Sequence, residues 1–177
     1  MKNKEGLALL GRYVLLILLG FSKLKLFYLV FTPLTVYPVF WFLSAFYSNA
    51  SLLVANLIFF GGIYVQIIPA CVAGAAFYLL FILNLTTPMK AGKRIKSLIF
   101  LVIAFLFLNI TRILIFSSLA ITGSDYFDIA HELTWYFGST LIVVLIWFVN
   151  VWLFRIKTIP VYTDMKNVYR EIVSGRK

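Results

Sequence analysis

The chain has 177 residues, of which 63% are hydrophobic and 12% charged, with a formal net charge of +10. A soluble domain holds roughly 45–50% apolar and 25% charged residues, so this composition leaves too little polar surface to coat a water-soluble globule. The basic residues stand between and beyond the apolar runs rather than along one face, which argues against nucleic-acid binding and marks them as topology signals.

In chain order, Gly6–Phe21 joins a basic flank to an apolar core that contains Arg12. No cleavage motif follows it, so a retained segment is expected, crossing the bilayer or lying along its surface. Leu26–Tyr47 is long enough to span, with a kink expected at Pro33 and Pro38. Ser51–Ile68 is apolar and uncharged but is split by Gly61 and Gly62. Beyond the glycines, Tyr64 and Gln66 alternate with Ile63, Val65 and Ile67, the period of a strand, and a two-residue Gly-Gly link suits a primed turn. A β-hairpin is expected there. Pro69–Thr87, Ser97–Ala120 and Leu133–Phe154 supply three further spanning runs.

The expected fold is therefore an all-α polytopic membrane protein, a bundle of about five transmembrane helices with a short outer β-hairpin before the third. Residues 1–155 form the transmembrane domain, and 156–177 a basic cytoplasmic tail with a short helix near Met165–Ile172. Lys90, Lys93, Arg94 and Lys96 in one loop, with the basic tail, place both in the cytoplasm. The acidic loop Thr122–Glu132, with Asp125 and Asp128, then faces outward, and a cell membrane location follows.

Polar residues inside apolar runs carry the functional argument, because Arg at a helix centre costs roughly 2.5–3.5 kcal/mol on insertion scales. Arg112 is the main case, with Asn109 three residues earlier on the same helix face. Sixteen residues separate Lys96 from Arg112, about 24 Å of helix, so Arg112 falls near the outer end of its run. Cys71 follows Pro69 by two residues, and proline favours the first helical position, so the sulfur belongs to a first turn whose free N–H groups and positive dipole end suit a nucleophile. Ala73, Gly74, Ala75 and Ala76 allow close approach of a neighbouring helix or of substrate. His131, the sole histidine, closes the acidic outer loop. Cys71, Arg112 and His131 thus reach one depth from three successive runs, while Asn109, Gly74 and Gln66 are candidates for substrate binding or support. The plainer alternatives are a buried inert thiol at Cys71, a snorkelling Arg112, an interfacial loop histidine and an interhelical amide at Asn109. One Cys and one His exclude an intrachain disulfide and a structural zinc site made by this chain alone, and no metal or cofactor is expected.

The segments Pro69-Ala70-Cys71, Asn109-Ile110-Thr111-Arg112-Ile113 and His131, in that order over residues 50–155, resemble the exosortase/archaeosortase family, and the short chain is similar to its archaeal-type members. Many members have a glycine two positions after the cysteine, whereas Val72 and Ala73 precede Gly74 here. The resemblance implies a membrane-embedded cysteine peptidase or transpeptidase that removes C-terminal sorting signals from exported surface proteins. In that scheme Cys71 is the nucleophile, His131 the base, and Arg112 the group stabilising negative charge. Its partners would be the transmembrane sorting signal of a client, the membrane lipids and a lipid acceptor. A non-enzymatic scaffold and a small transporter lined by Arg112 and Asn109 are the rival readings.

Overall fold

A computed structural model describes residues 3–21, 24–123 and 127–156. The expected cytoplasmic tail beyond Ile156 and the Asp125 part of the acidic loop lie outside the described residues. The elements run α1 (Asn3–Phe21), α2 (Lys25–Phe46), β1 (Ser51–Val54), β2 (Leu57–Phe60), β3 (Ile63–Gln66), α3 (Pro69–Val72), α4 (Gly74–Thr86), α5 (Ala91–Ile121), α6 (Phe127–Leu133), a π-helical turn (Thr134–Gly138) and α7 (Ser139–Leu153).

Three stretches are long and apolar enough to cross a membrane: Lys25–Phe46, Pro69–Thr86 and Ala91–Ile121. That agrees with a membrane protein. The other two expected crossings correspond to shorter apolar helices, Leu10–Phe21 and Ser139–Leu153. Leu29, Phe107, Phe148 and Trp152 project outward from their helices, an apolar exterior of the kind lipid solvates.

The core forms where α2, α4 and α5 meet. Phe31 of α2 stacks on Phe77 of α4 at 3.6 Å between ring centroids, and Phe77 meets Phe105 of α5 edge-on at 4.7 Å. Val36, Val39, Leu80 and Leu101 close the same core. Pro33 and Pro38 both lie inside α2, which stays helical from Lys25 to Phe46.

The expected hairpin is present and carries a third strand. The sheet has the antiparallel order β1-β2-β3, with Phe60 opposite Ile63 across Gly61-Gly62. Those glycines have φ of +55° and +85°, the two positive values that a primed two-residue turn requires. β2 turns Ile58 and Phe60 into the core, so alternation fixes which face is buried. A Cβ on Gly61 would stand 2.9 Å from Ile121 Cδ1, so the turn is seated closely on the end of α5.

Two of the expected runs are not uniform helices. Pro69–Thr87 breaks at Ala73, which has φ 56° and ψ 45° and separates the four-residue turn α3 from α4. The last run starts earlier than expected, because Phe127–Leu133 is already helical and joins α7 through the π turn.

The opposite end of the bundle is tied by amides. Asn84 Nδ2 donates to Ser97 Oγ at 2.8 Å, and Ser97 Oγ donates to Asn150 Oδ1 at 2.9 Å, linking α4, α5 and α7 through three buried side chains. Arg12 donates to the Leu85 carbonyl at 3.2 Å and Arg94 to the Thr87 carbonyl at 3.0 Å. Both cations therefore serve carbonyls at the C-terminal end of α4, where helix geometry leaves acceptors unpaired and the dipole favours positive charge.

Candidate active site

A cleft of about 510 Å³ opens between β3, α3, the last turns of α5 and the stretch from α6 into the π turn. Cys71, Arg112 and His131 all line it, each from a different helix, and Gln66 lines it from β3. The remaining wall is mainly apolar, including Ile113, Phe116, Ala120 and Phe127. Among the described residues of the lining, Arg112 is the one guanidinium and there is no carboxylate.

Cys71 is half-buried, in the helical turn that Pro69 begins. Its own N–H donates to the Ile68 carbonyl at 2.8 Å, and the Ala73 N–H returns to the Pro69 carbonyl at 3.1 Å, which closes the turn. The left-handed Ala73 then redirects the chain. In an unbroken helix the Cys71 carbonyl would accept from the backbone N–H four residues on. Here it accepts from two α5 side chains instead, Asn109 Nδ2 at 2.9 Å and Arg112 Nη2 at 3.4 Å. Asn109 is buried, so it fastens the Cys71 turn from behind the cleft wall without itself lining the cavity.

Arg112 also donates from Nη1 to Ser139 Oγ at 2.6 Å. The planar fork thus joins α3 to the first residue of α7, and guanidinium geometry suits such two-point contacts. Nothing in the sequence singles out Ser139. Ser139 stands eight residues after His131 with the π turn between them, and a serine at the start of an apolar run carries no mark of its partner.

His131 is exposed on α6, not in an irregular loop. Its ring lies parallel to Phe127 one turn earlier, with centroids 5.5 Å apart and 7° between planes. Phe116 of α5 meets it edge-on at 5.3 Å. Two aromatic neighbours therefore fix the imidazole's orientation at the cleft mouth, and neither is a hydrogen-bond partner.

Gly74 has a different place from the one expected for a substrate contact. It is buried against α2, where a Cβ would stand 2.8 Å from Tyr28 Cε1, so its small size serves the packing of two helices. The site therefore unites a thiol, a guanidinium, an imidazole and a strand in one cleft, with Asn109 one layer behind and Gly74 turned away. No protein-family model, curated protein or solved structure matches the chain.

Proposed function

We propose that the protein is a membrane-embedded cysteine peptidase or transpeptidase acting at the extracytoplasmic boundary, with a bundle of about five crossings and a cytoplasmic C-terminus. The observation that supports this reading is the shared cleft of Cys71, Arg112 and His131, contributed by three separate helices. The similarity of the three motifs to exosortases and archaeosortases adds the substrate class: an exported protein whose C-terminal signal has a short recognition motif, a hydrophobic helix and a basic end.

In the reaction, the Cys71 sulfur attacks the carbonyl carbon of a peptide bond while His131 takes the thiol proton. The carbonyl oxygen gathers negative charge beside the Arg112 guanidinium, in a mainly apolar cleft where such an interaction is stronger than in water. Collapse of this intermediate breaks the C–N bond, and the leaving amine takes the proton from His131. A thioester to Cys71 remains. Water or a lipid amine then attacks it, forming an acid or an amide and returning the proton to the thiol.

One observation favours a second reading. Arg112 and Asn109 both donate to the backbone carbonyl of Cys71, contacts that a non-enzymatic scaffold would use to hold α3 on α5. Mass spectrometry of the C-termini of exported proteins in the native host separates the two. With Cys71→Ala or Cys71→Ser, trimmed C-termini should disappear and full-length clients accumulate. Equal trimming with both variants would remove the enzyme reading and leave the scaffold.

A further inference from the structure

Among the described residues β3 has a strand partner on one edge only, and all four of its residues line the cleft that holds Cys71. Which backbone groups occupy that edge follows from the register. Phe60 and Ile63 flank a two-residue turn, so they form a hydrogen-bonded pair, and the pairs alternate from there along an antiparallel ladder. Val65 therefore bonds to Ile58, whereas Tyr64 and Gln66 direct their N–H and C=O groups away from β2. The next residue confirms the parity, because Ile67 N–H donates to the Asn56 carbonyl at 2.8 Å. The free edge thus offers a donor and an acceptor at Tyr64 and again at Gln66, about 6.6 Å further along.

Sheet edges are normally blunted by charge, proline or a bulge. The other edge strand, β1, has such an irregularity, a register shift between Leu52 and Val54. β3 has none. Its sequence Ile-Tyr-Val-Gln carries no charge and no proline, and it leads in five residues from Gln66 to Cys71.

We infer that the β3 edge is the docking strand for the substrate: an extended peptide segment pairs with the main-chain groups of Tyr64 and Gln66, and so delivers its scissile carbonyl to Cys71. This inference rests on the peptidase reading and adds the recognition mode. An extended backbone is the occupant that fits, since it presents a donor and an acceptor on one side at every second residue, whereas a helix uses these groups internally. Main-chain pairing supplies affinity that is indifferent to side chains. The apolar wall opposite, with Phe116 and Ala120, is left to select the residues flanking the cleaved bond.

The test uses the full-length protein in detergent and mixtures of acetylated hexapeptides, randomised in sequence and ending in a chloromethyl ketone. Attack by the Cys71 sulfur forms a C–S bond, expels chloride and releases the thiol proton. Cys71 is the only thiol, and peptide mapping of the labelled protein separates its adduct from alkylation of His131 in the same cleft. Matched mixtures carry N-methyl groups on odd or on even residues, and iodoacetamide reports thiol reactivity without docking.

Pairing on β3 requires that N-methylation of one parity slows labelling at least tenfold while the other parity changes it less than twofold. Equal rates for the two parities, with Cys71 still alkylated by iodoacetamide, would overturn strand pairing and leave the peptidase reading standing. A thiol that neither reagent class labels would remove both. Peptide labelling that weakens as protein concentration rises would assign the edge to a second copy of this chain, and would also overturn the inference.

Discussion

Replacing Ala73 by glycine tests the helix break that isolates the Cys71 turn, because the sign of the effect depends on whether the break exists. Ala73 sits at φ 56°, in the left-handed region. That conformation costs an L-residue about 1–2 kcal/mol, and glycine escapes it. Glycine loses more chain freedom on folding, at roughly 0.5–1 kcal/mol. The difference leaves Ala73→Gly stabilising by about 0–1.5 kcal/mol, centred near 0.75. In a continuous helix the same change would destabilise by about 1 kcal/mol. Ala104→Gly, within α5, provides that reference. Unfolding of the purified protein by SDS titration in mixed micelles, followed by tryptophan fluorescence, measures both. Ala73→Gly should unfold later than wild type and Ala104→Gly earlier. If both unfold earlier by the same amount, Ala73 lies in a regular helix and the account of how the Cys71 carbonyl is freed for Asn109 is wrong.

The same titration checks two packing predictions. Gly74→Ala places a methyl 2.8 Å from the Tyr28 ring and should cost about 1–3 kcal/mol, part of which Tyr28→Leu in the same chain recovers. Ser97→Ala removes the middle of the Asn84–Ser97–Asn150 chain and should cost about 1–3 kcal/mol, since it strands two buried amides. Changing all three positions to apolar residues should recover much of that loss. Arg112→Lys keeps the charge but loses the fork that reaches Ser139 and the Cys71 carbonyl together. Client trimming, measured as the ratio of processed to full-length C-termini, should fall on the order of 100-fold.

The parts of the fold that follow simple periodicities were legible in the sequence. Long apolar runs gave the helices, and Gly61-Gly62 followed by an alternating segment gave the hairpin and its turn. The third strand was not read, because Ser51–Val54 is almost wholly apolar and carries no alternation. Pro69 placed Cys71 in a first helical turn, and the three-residue spacing of Asn109 and Arg112 put both on one face, as their common acceptor requires. Their acceptor was hidden, because a backbone carbonyl leaves no mark in sequence and alanine at 73 gives no hint of a left-handed residue. At Gly74 the sequence left two approaches open, a neighbouring helix or a substrate, because a small residue does not name what approaches; in the structure it is the Tyr28 ring of α2.

The two ends of the bundle differ in how they satisfy polar groups. At the Asn84–Ser97–Asn150 end, side chains bond to one another and cations serve the carbonyls that end a helix. At the sheet end, several departures from regular geometry stand close together: the left-handed Ala73, the carbonyl of Cys71 held by side chains of α5, the π turn after His131 and the β3 edge; the other two left-handed non-glycine residues, Leu24 and Arg155, stand where α2 begins and α7 has ended. Each alone has a local explanation, and each costs free energy that an unbroken helix or a covered edge would not. Such costs collect where a structure does something besides hold itself together. Apolar packing alone gives no reason for the β3 edge, Cys71 and the first residue of the π turn, Thr134, to line one cleft. The docking proposed on β3 supplies one.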